Sequence, residues 1–121
     1  MLMPMTVKEV LALFQQNCPG LEGAVVATHD GLVLGASDSF SGDTPAALAA
    51  SLWVHLQQDL SLMESSTVNE SLLWTDKGIW YLARLEHKHL LLAFTQSTDN
   101  AGALRLAGQI AAQQLARMVG G

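Results

Sequence analysis

The segment from Pro19 to Leu32 reads PGLEGAVVATHDGL, and it decides the fold. Its run of small apolar residues from Ala24 to Ala27 does not alternate with polar residues, which is typical of a strand buried on both faces. The pair Asp30-Gly31 follows and predicts a tight hairpin with a type I′ turn. Pro19-Gly20 ahead of the strand indicates the end of a helix. The segment therefore predicts a central strand of an antiparallel sheet that has helices on both faces.

The sequence on either side of this segment shows helical and strand patterns. Thr6 and Glu9 have the spacing of a capping box for a first helix that ends near residue 17. Thr44 as N-cap and Pro45 at the first helical position predict a second helix that runs to about Met63. Four further strands and a last helix are expected at 32–37, 67–74, 79–85, 89–95 and 100–118. The order αββαβββα predicts one α/β sandwich domain of the α+β class over residues 1–121, with a five-stranded antiparallel sheet.

Composition and charge exclude several classes of function. Half of the 121 residues are hydrophobic and 14% are charged, which suffices for one core. The net charge is −5 and the six basic residues are scattered, so neither nucleic acid nor an anionic membrane surface is expected as a partner. The single cysteine, Cys18, cannot form an internal disulfide, which favours a cytoplasmic location. No basic leader and no apolar stretch of about 18 residues occurs, so neither a signal peptide nor a membrane span is expected.

The predicted middle helix carries two apolar stripes. The broader stripe suits a core face and comprises Ala46, Ala49, Leu52, Trp53, Leu56, Leu60 and Met63. The narrower one, the small-residue stripe, comprises Ala47, Ala50, Ser51 and Val54. Small side chains let two helices approach closely, so this stripe predicts self-association. The alternative is that the alanines are present only because they favour helix formation.

The strand predicted at 67–74 should lie at an edge of the sheet, because a long helix precedes it and hairpins follow it. A long edge strand invites pairing with the same strand of a second copy. Glu70 within it would discourage unspecific pairing and still permit one fixed register. A two-fold dimer would then place two middle helices above one continuous sheet.

The sequence predicts no catalytic site, cofactor site or metal site. His55 and Asp59 share a helix face, but a third metal ligand is not apparent. Cys18 lies at the end of a helix, where the dipole raises the pKa of a thiol and so disfavours a nucleophile. The phosphate-binding patterns GxxxxGK[ST] and GxGxxG do not occur. A function other than catalysis, without a cofactor, is therefore expected.

The sequence resembles the roadblock/dynein light chain family over nearly its whole length. The resemblance is carried by PGLEGAVV at 19–26, DGL at 30–32, the alanine-rich second helix and NAGALR at 100–105. It implies a profilin-like layered fold with strand order 2-1-5-4-3. It also implies that the first and last helices lie on one face of the sheet and the middle helix on the other.

The resemblance further implies a function. Members of the family dimerise through the middle helix and the third strand, and many bind Ras-like small GTPases on the paired middle helices. The chain is therefore expected to be a docking platform or regulator for such a GTPase, as a homodimer or with a paralogous roadblock protein. The dimer interface that this implies is Ala47, Ala50, Ser51, Val54, Val68, Glu70 and Leu72. The implied partner surface is His55, Gln58 and Asp59; no arginine lies on this helix, which excludes an arginine finger from this face.

Two alternatives stay open. The chain could be a scaffold subunit of a motor or signalling complex that holds proteins together without changing GTP turnover. It could also be a small-ligand sensor, which predicts a cavity between sheet and helix with convergent polar groups. The inward-facing alanine, valine and leucine residues of the strands disfavour the sensor.

Overall fold

A computed structural model describes residues 5–86, 88–99 and 101–119. The predicted start of the last helix at Asn100 thus lies outside the described residues. Within them, the helices are α1 (Val7–Asn17), α2 (Asp43–Leu60) and α3 (Ala101–Val119). The strands are β1 (Leu21–Thr28), β2 (Val33–Ala36), β3 (Glu70–Thr75), β4 (Gly78–Leu85) and β5 (His89–Thr95). One 3₁₀ turn, Asp38–Phe40, stands between β2 and α2. None of the helices in this part of the chain has both the length and the hydropathy needed to cross a membrane.

The strands form one antiparallel sheet in the order β2-β1-β5-β4-β3. The two strands without alternation, β1 and β5, lie in its interior, where most of their residues are buried. A strand covered on both faces needs apolar residues at every position, which explains the continuous runs. The predicted element order and strand order are both confirmed, and β3 lies at an edge.

The helices cover the sheet from two sides. On the α1/α3 face the core includes Phe14 of α1, Tyr81 of β4 and Leu115 of α3. On the α2 face, Ala46 of α2 packs with Val25 of β1 in a separate core. The predicted α/β sandwich with helices on both faces is confirmed.

The capping box at the start of α1 is present as predicted. The Thr6 hydroxyl accepts a hydrogen bond of 3.1 Å from the Glu9 amide, and the Glu9 carboxylate accepts one of 3.1 Å from the Thr6 amide. These two bonds satisfy amides that have no partner within the helix.

The prediction of a type I′ turn at Asp30-Gly31 is wrong. Gly31 has φ +90°, but Asp30 does not have the positive φ that a type I′ turn needs at both central residues. The Gly31 amide instead donates to the Thr28 carbonyl, and the Thr28 amide donates to the carbonyl of Leu32. The longer loop accompanies a register shift between β1 and β2 after Val26, so the two strands need one extra residue.

The predicted limits of α2 and β3 need correction. Gly42, not Thr44, is the N-cap of α2, and Asp43 in the first turn suits the positive end of the helix dipole. The helix ends at Leu60 rather than Met63, and β3 begins at Glu70 rather than at residue 67. The Gln57 side chain explains the early end. It donates a hydrogen bond of 2.6 Å to the Ser66 carbonyl and accepts one of 2.9 Å from the Val68 amide. These bonds hold the segment between α2 and β3 back along the helix.

A candidate dimer and partner-binding surface

The outer side of α2 presents the predicted partner residues. His55, Gln58 and Asp59 are all exposed. His55 Nδ1 lies 2.7 Å from the Ser51 carbonyl oxygen, which holds the imidazole against the helix. The helix also contains Asp43 at its start but no lysine or arginine, so its charged side chains are both acidic. A partner that binds there should offer basic or hydrogen-bonding groups.

The small-residue stripe is only partly available to a second copy. Ala47 and Ser51 are exposed and Val54 is half-buried, whereas Ala50 is 9% exposed. Gly31 of the β1–β2 turn lies against this part of α2, and a Cβ added there would stand 3.5 Å from the Ala47 Cα and 3.9 Å from the Ala50 Cβ. The turn of the same chain therefore already covers Ala50.

The predicted pairing strand lies at the sheet edge, but Val68 does not belong to it. Val68 is buried ahead of β3, and its carbonyl accepts a 3.2 Å bond from the Trp53 indole nitrogen. Glu70 and Leu72 do lie in β3, and Leu72 packs against the core on the α1/α3 face. The sheet ends at β3, so the outer main-chain groups of this strand have no strand beside them in the described part of the chain.

Part of the α2 face of the sheet is left open beside this edge. The helix lies mainly over β1 and β5. Leu73 of β3 and Trp80 of β4 are only half-buried on the adjoining part of the sheet, and the Trp80 ring packs against Phe94 in a tilted arrangement at a centroid distance of 4.5 Å. Leu56 of α2 is half-buried, and Leu60 is 45% exposed. This open apolar region is a candidate contact surface.

The sequence predicts that the whole broad stripe of α2 faces the core, which is wrong at the far end of the stripe. Ala46 and Ala49 are fully buried, but Leu60 is largely exposed and Met63 lies beyond the helix with an exposed side chain. The stripe continues past the residues that α2 buries, and this length was the signal for a candidate second contact surface.

A polar cluster on the opposite, α1/α3 face was missed by sequence reasoning. Glu70 Oε1 lies 2.6 Å from Arg105 Nη2, and Glu70 Oε2 accepts a 3.0 Å hydrogen bond from the Tyr81 hydroxyl. Gln109, one turn along α3 from Arg105, also donates to the carboxylate. Arg105 and Glu70 are 35 positions apart, so no local pattern could pair them. The matching i, i+4 spacing of Arg105 and Gln109 was the one available hint.

The surroundings of this cluster shift two pKa values. Burial works to raise the pKa of Glu70, but the hydrogen bonds from Arg105, Tyr81 and Gln109 outweigh it, so the pKa lies below its ordinary value. Burial and the neighbouring carboxylate raise the pKa of Tyr81, which keeps its hydroxyl a donor. Glu70 is thus an ionised acceptor fixed in position.

A cleft of about 450 Å³ lies between the sheet and α3 beside this cluster. Tyr81, Ala83 and Ala112 give it apolar walls, and its polar walls comprise Asn69, Glu70, Arg84, Gln109 and Gln113. The cleft is open to solvent and runs toward the free edge of the sheet, since Glu70 begins the edge strand.

His29 forms a second unusual environment, where the β1–β2 turn meets α2. Its ring stacks on Trp53 with a centroid distance of 4.3 Å. Burial lowers the pKa of His29, and the positive charges of Arg84, His89 and Lys88 lower it further against the opposing effect of Asp30. The stack joins the turn to α2, so Trp53 has a packing role, as the sequence predicted.

The candidate nucleophile and the candidate metal ligands can be compared with the structure. Cys18 is buried, and burial raises the pKa of its thiol. Within residues 5–86, 88–99 and 101–119, no group of three or more histidine, cysteine, aspartate or glutamate side chains is placed to hold a metal ion.

Comparison with known proteins identifies the family of this architecture. Residues 7–95 match the Roadblock/LC7 domain model, which confirms the resemblance. A comparison with curated protein sequences finds no match. A Roadblock/LC7 domain from Streptomyces avermitilis superimposes with a TM-score of 0.86 at 18% identity, over 97% of this chain and 100% of that one.

Two structures of the protein MglB are also similar. The gliding protein MglB from Thermus thermophilus has a TM-score of 0.80 at 23% identity, over 92% of this chain and 86% of that one. A structure described as MglB with tetrameric arrangement has a TM-score of 0.81 at 25% identity, over 92% and 85% of the two chains.

Proposed function

This chain belongs to the Roadblock/LC7 domain family, and from that premise we propose that it acts as a dimeric regulator or docking platform for a Ras-like small GTPase. The GTPase is the partner class that the family resemblance implies. The proposed role is non-catalytic, in that this chain would bind the GTPase and contribute no reacting group of its own. A homodimer is the simplest form, and a paralogous roadblock protein could replace the second copy.

The observation that carries the proposal is the open apolar region beside the free edge of β3. Leu73 and Trp80 on the sheet and Leu56 and Leu60 on the helix lie partly exposed next to an edge that has no neighbouring strand among the described residues. Burying apolar area and pairing an edge strand both favour association. A second copy offers the same surface, and a two-fold axis at β3 would extend the sheet across both. The tetrameric arrangement described for MglB supports self-association in this fold.

The dimer would bring two acidic helix surfaces to one side of the molecule. Each contributes exposed His55, Gln58 and Asp59. These six side chains would form the partner surface, and its chemistry suits basic and amide groups of a GTPase. Because no arginine lies on α2, any acceleration of hydrolysis from this surface would act by positioning groups of the GTPase itself.

Sedimentation of three variants tests the dimer. Leu60→Arg should convert the protein to a monomer, because the charge would be buried in the apolar contact. Ser51→Arg tests the small-residue stripe by the same measurement. Leu106→Arg is the matched control, because Leu106 is 61% exposed but lies on α3. A wild type that sediments as a monomer at high concentration would contradict the proposal.

Nucleotide-dependent binding tests the partner. The combined variant His55→Ala, Gln58→Ala and Asp59→Lys should bind a Ras-like GTPase from the same cell at least about tenfold more weakly, as expected when central contacts are removed. Gln16→Ala with Gln113→Ala, exposed on α1 and α3, is the control. Unchanged binding by the triple variant would show that the surface is wrong.

GTP turnover separates the regulator from the scaffold. A regulator changes the rate at which the GTPase hydrolyses GTP, whereas a scaffold subunit binds it and leaves the rate unchanged. The measurement compares hydrolysis by the GTPase alone, with this protein, and with the Leu60→Arg variant.

A further inference from the structure

We propose that Trp74 from a second copy covers the cleft beside Glu70, so that each cleft is completed only in the dimer. This inference rests on the proposed dimer and adds its register and one specific contact. It concerns the α1/α3 face of the sheet, whereas the partner surface proposed above lies on the α2 face.

Trp74 is an exposed indole on an edge strand. It is 57% exposed. Successive side chains of a strand point to opposite faces, so Trp74 shares the face of Glu70 and Leu72. Leu72 packs against the α1/α3 core, and Trp74 pairs with Ile79, which belongs to that same core. The indole therefore lies on the side of the sheet where the cleft is open.

The chemistry of the cleft suits an indole. Its apolar walls include the Tyr81 ring and Ala83, and Arg84 lies at its side. Arg105, paired with Glu70, keeps a half-exposed guanidinium next to the opening. Guanidinium groups stack favourably on tryptophan faces, and the indole N–H can donate to a carboxylate. Glu70 is an ionised acceptor held at that position.

Symmetry restricts how two β3 strands can pair. A two-fold axis perpendicular to the sheet maps each face onto itself, and directly opposed residues of an antiparallel pair share a face. A residue can therefore pair only with one that points to its own face, so the centre of the pairing must be a residue opposite its own copy. Near the middle of β3 that residue is Ser71, Leu72 or Leu73.

Charge and strand length select among these three registers. Centring on Leu73 would bring Glu70 beside the other copy's Asp76, the residue that follows β3, and neighbouring like charges are destabilising. Centring on Ser71 would pair only residues 70–72 of each strand with each other. Centring on Leu72 pairs residues 70–74 and places Trp74 of each copy directly opposite Glu70 of the other. That register brings the indole to the cleft.

Single-cysteine cross-linking tests the register. In a Cys18→Ala background, Leu72→Cys should form a disulfide with its own copy under mild oxidation, because opposed residues have Cα atoms about 4.5–5.5 Å apart. Ser71→Cys and Leu73→Cys are measured in parallel and should cross-link much less. Sedimentation of each reduced variant shows whether the dimer is present.

The outcomes separate this inference from the proposed function. Cross-linking through Leu72→Cys supports the inference. Preferential cross-linking through Ser71→Cys or Leu73→Cys, or a dimer that none of the three links, overturns it and leaves the dimer standing. A protein that sediments as a monomer overturns both.

The dissociation constant of the dimer tests the indole contact. Trp74→Ala should raise it at least about tenfold, as expected when a central aromatic residue is lost. Trp74→Phe should restore most of the affinity. Leu106→Ala, with similar exposure on α3, should leave the constant unchanged. An unchanged dissociation constant for Trp74→Ala would overturn the contact, and a small ligand would then be the better candidate for the cleft.

Discussion

Glu70 serves the fold of its own chain and also lies at the proposed dimer interface. Its carboxylate is bound by Arg105, Tyr81 and Gln109. The sequence suggested that Glu70 restricts strand pairing, and its position at the beginning of β3 is compatible with that role. The bonds inside the chain fix the charge in place, which in the proposed dimer would make it a specific neighbour for a second copy.

Glu70→Gln should lower the free energy of unfolding at pH 7 by about 1–2 kcal/mol, because hydrogen bonds to an ionised group are lost at a partly exposed site. The pKa of Glu70 is lowered in the folded state, so its contribution is present above the ordinary pKa of 4.5 and is lost as the pH falls through the folded value. Urea unfolding at several pH values should show that the free energies of unfolding of wild type and Glu70→Gln approach each other as the pH falls. Glu22→Gln, at an exposed position on β1, is the control and should differ little from wild type at pH 7.

His29 should make stability depend on pH in a higher range. Its pKa is lowered, chiefly by burial, so stability is complete above the ordinary value of 6.5 and falls as the pH drops through the folded value. The melting temperature of wild type should decrease from pH 7.5 toward pH 5.5, and His29→Gln should show a smaller decrease. Gln16→Ala, at an exposed position on α1 that carries no titratable group, is the control and should leave the pH dependence as it is.

At the scale of elements, α3 lies close to the sheet because Gly108 faces Tyr81. A Cβ at Gly108 would stand 2.5 Å from the Tyr81 ring, whereas a Cβ at Gly102 would meet nothing within 4 Å. A side chain could therefore be accommodated at Gly102 but not at Gly108 without a shift of α3 or Tyr81. Gly108 allows the close approach that places Arg105 and Gln109 beside Glu70.

Gly108→Ala should destabilise the protein by about 1–2 kcal/mol, because overpacking against a buried ring outweighs the gain in helix propensity of about 1 kcal/mol. Gly102→Ala should instead be neutral or stabilising by up to about 1 kcal/mol. Thermal or urea unfolding of both variants checks the pair. A stabilising Gly108→Ala would mean that α3 can move away from Tyr81 without cost.

At the scale of the whole molecule, stability and association should be linked. A dimer that exists only in the folded state gains stability by mass action, so the melting temperature should rise by about 2–5 °C for each tenfold increase in protein concentration. Leu60→Arg should remove that dependence, whereas the control Leu106→Arg should retain it. A melting temperature that does not depend on concentration would argue against the dimer.

The sequence by itself determined the elements, their order and the central strands. Hydrophobic periodicity and capping patterns are local, so α1, β1 and β5 could be read from short segments such as Thr6 to Glu9 and Ala24 to Ala27. The family resemblance added the strand order. The N-cap predicted at Thr44 and the turn type predicted at Asp30 were wrong, because the start of a helix and the length of a loop depend on how neighbouring elements pack.

Only the tertiary structure decided which apolar and charged groups serve the chain's own core. Periodicity indicates that a residue such as Leu60 or Ala50 prefers an apolar contact, but it does not say which surface supplies the contact. The packing of α2 over β1 and β5 covers Ala50 with the chain's own turn and leaves Leu60 exposed. The meeting of Glu70 with Arg105 likewise depends on α3 crossing the sheet, which no local sequence pattern specifies.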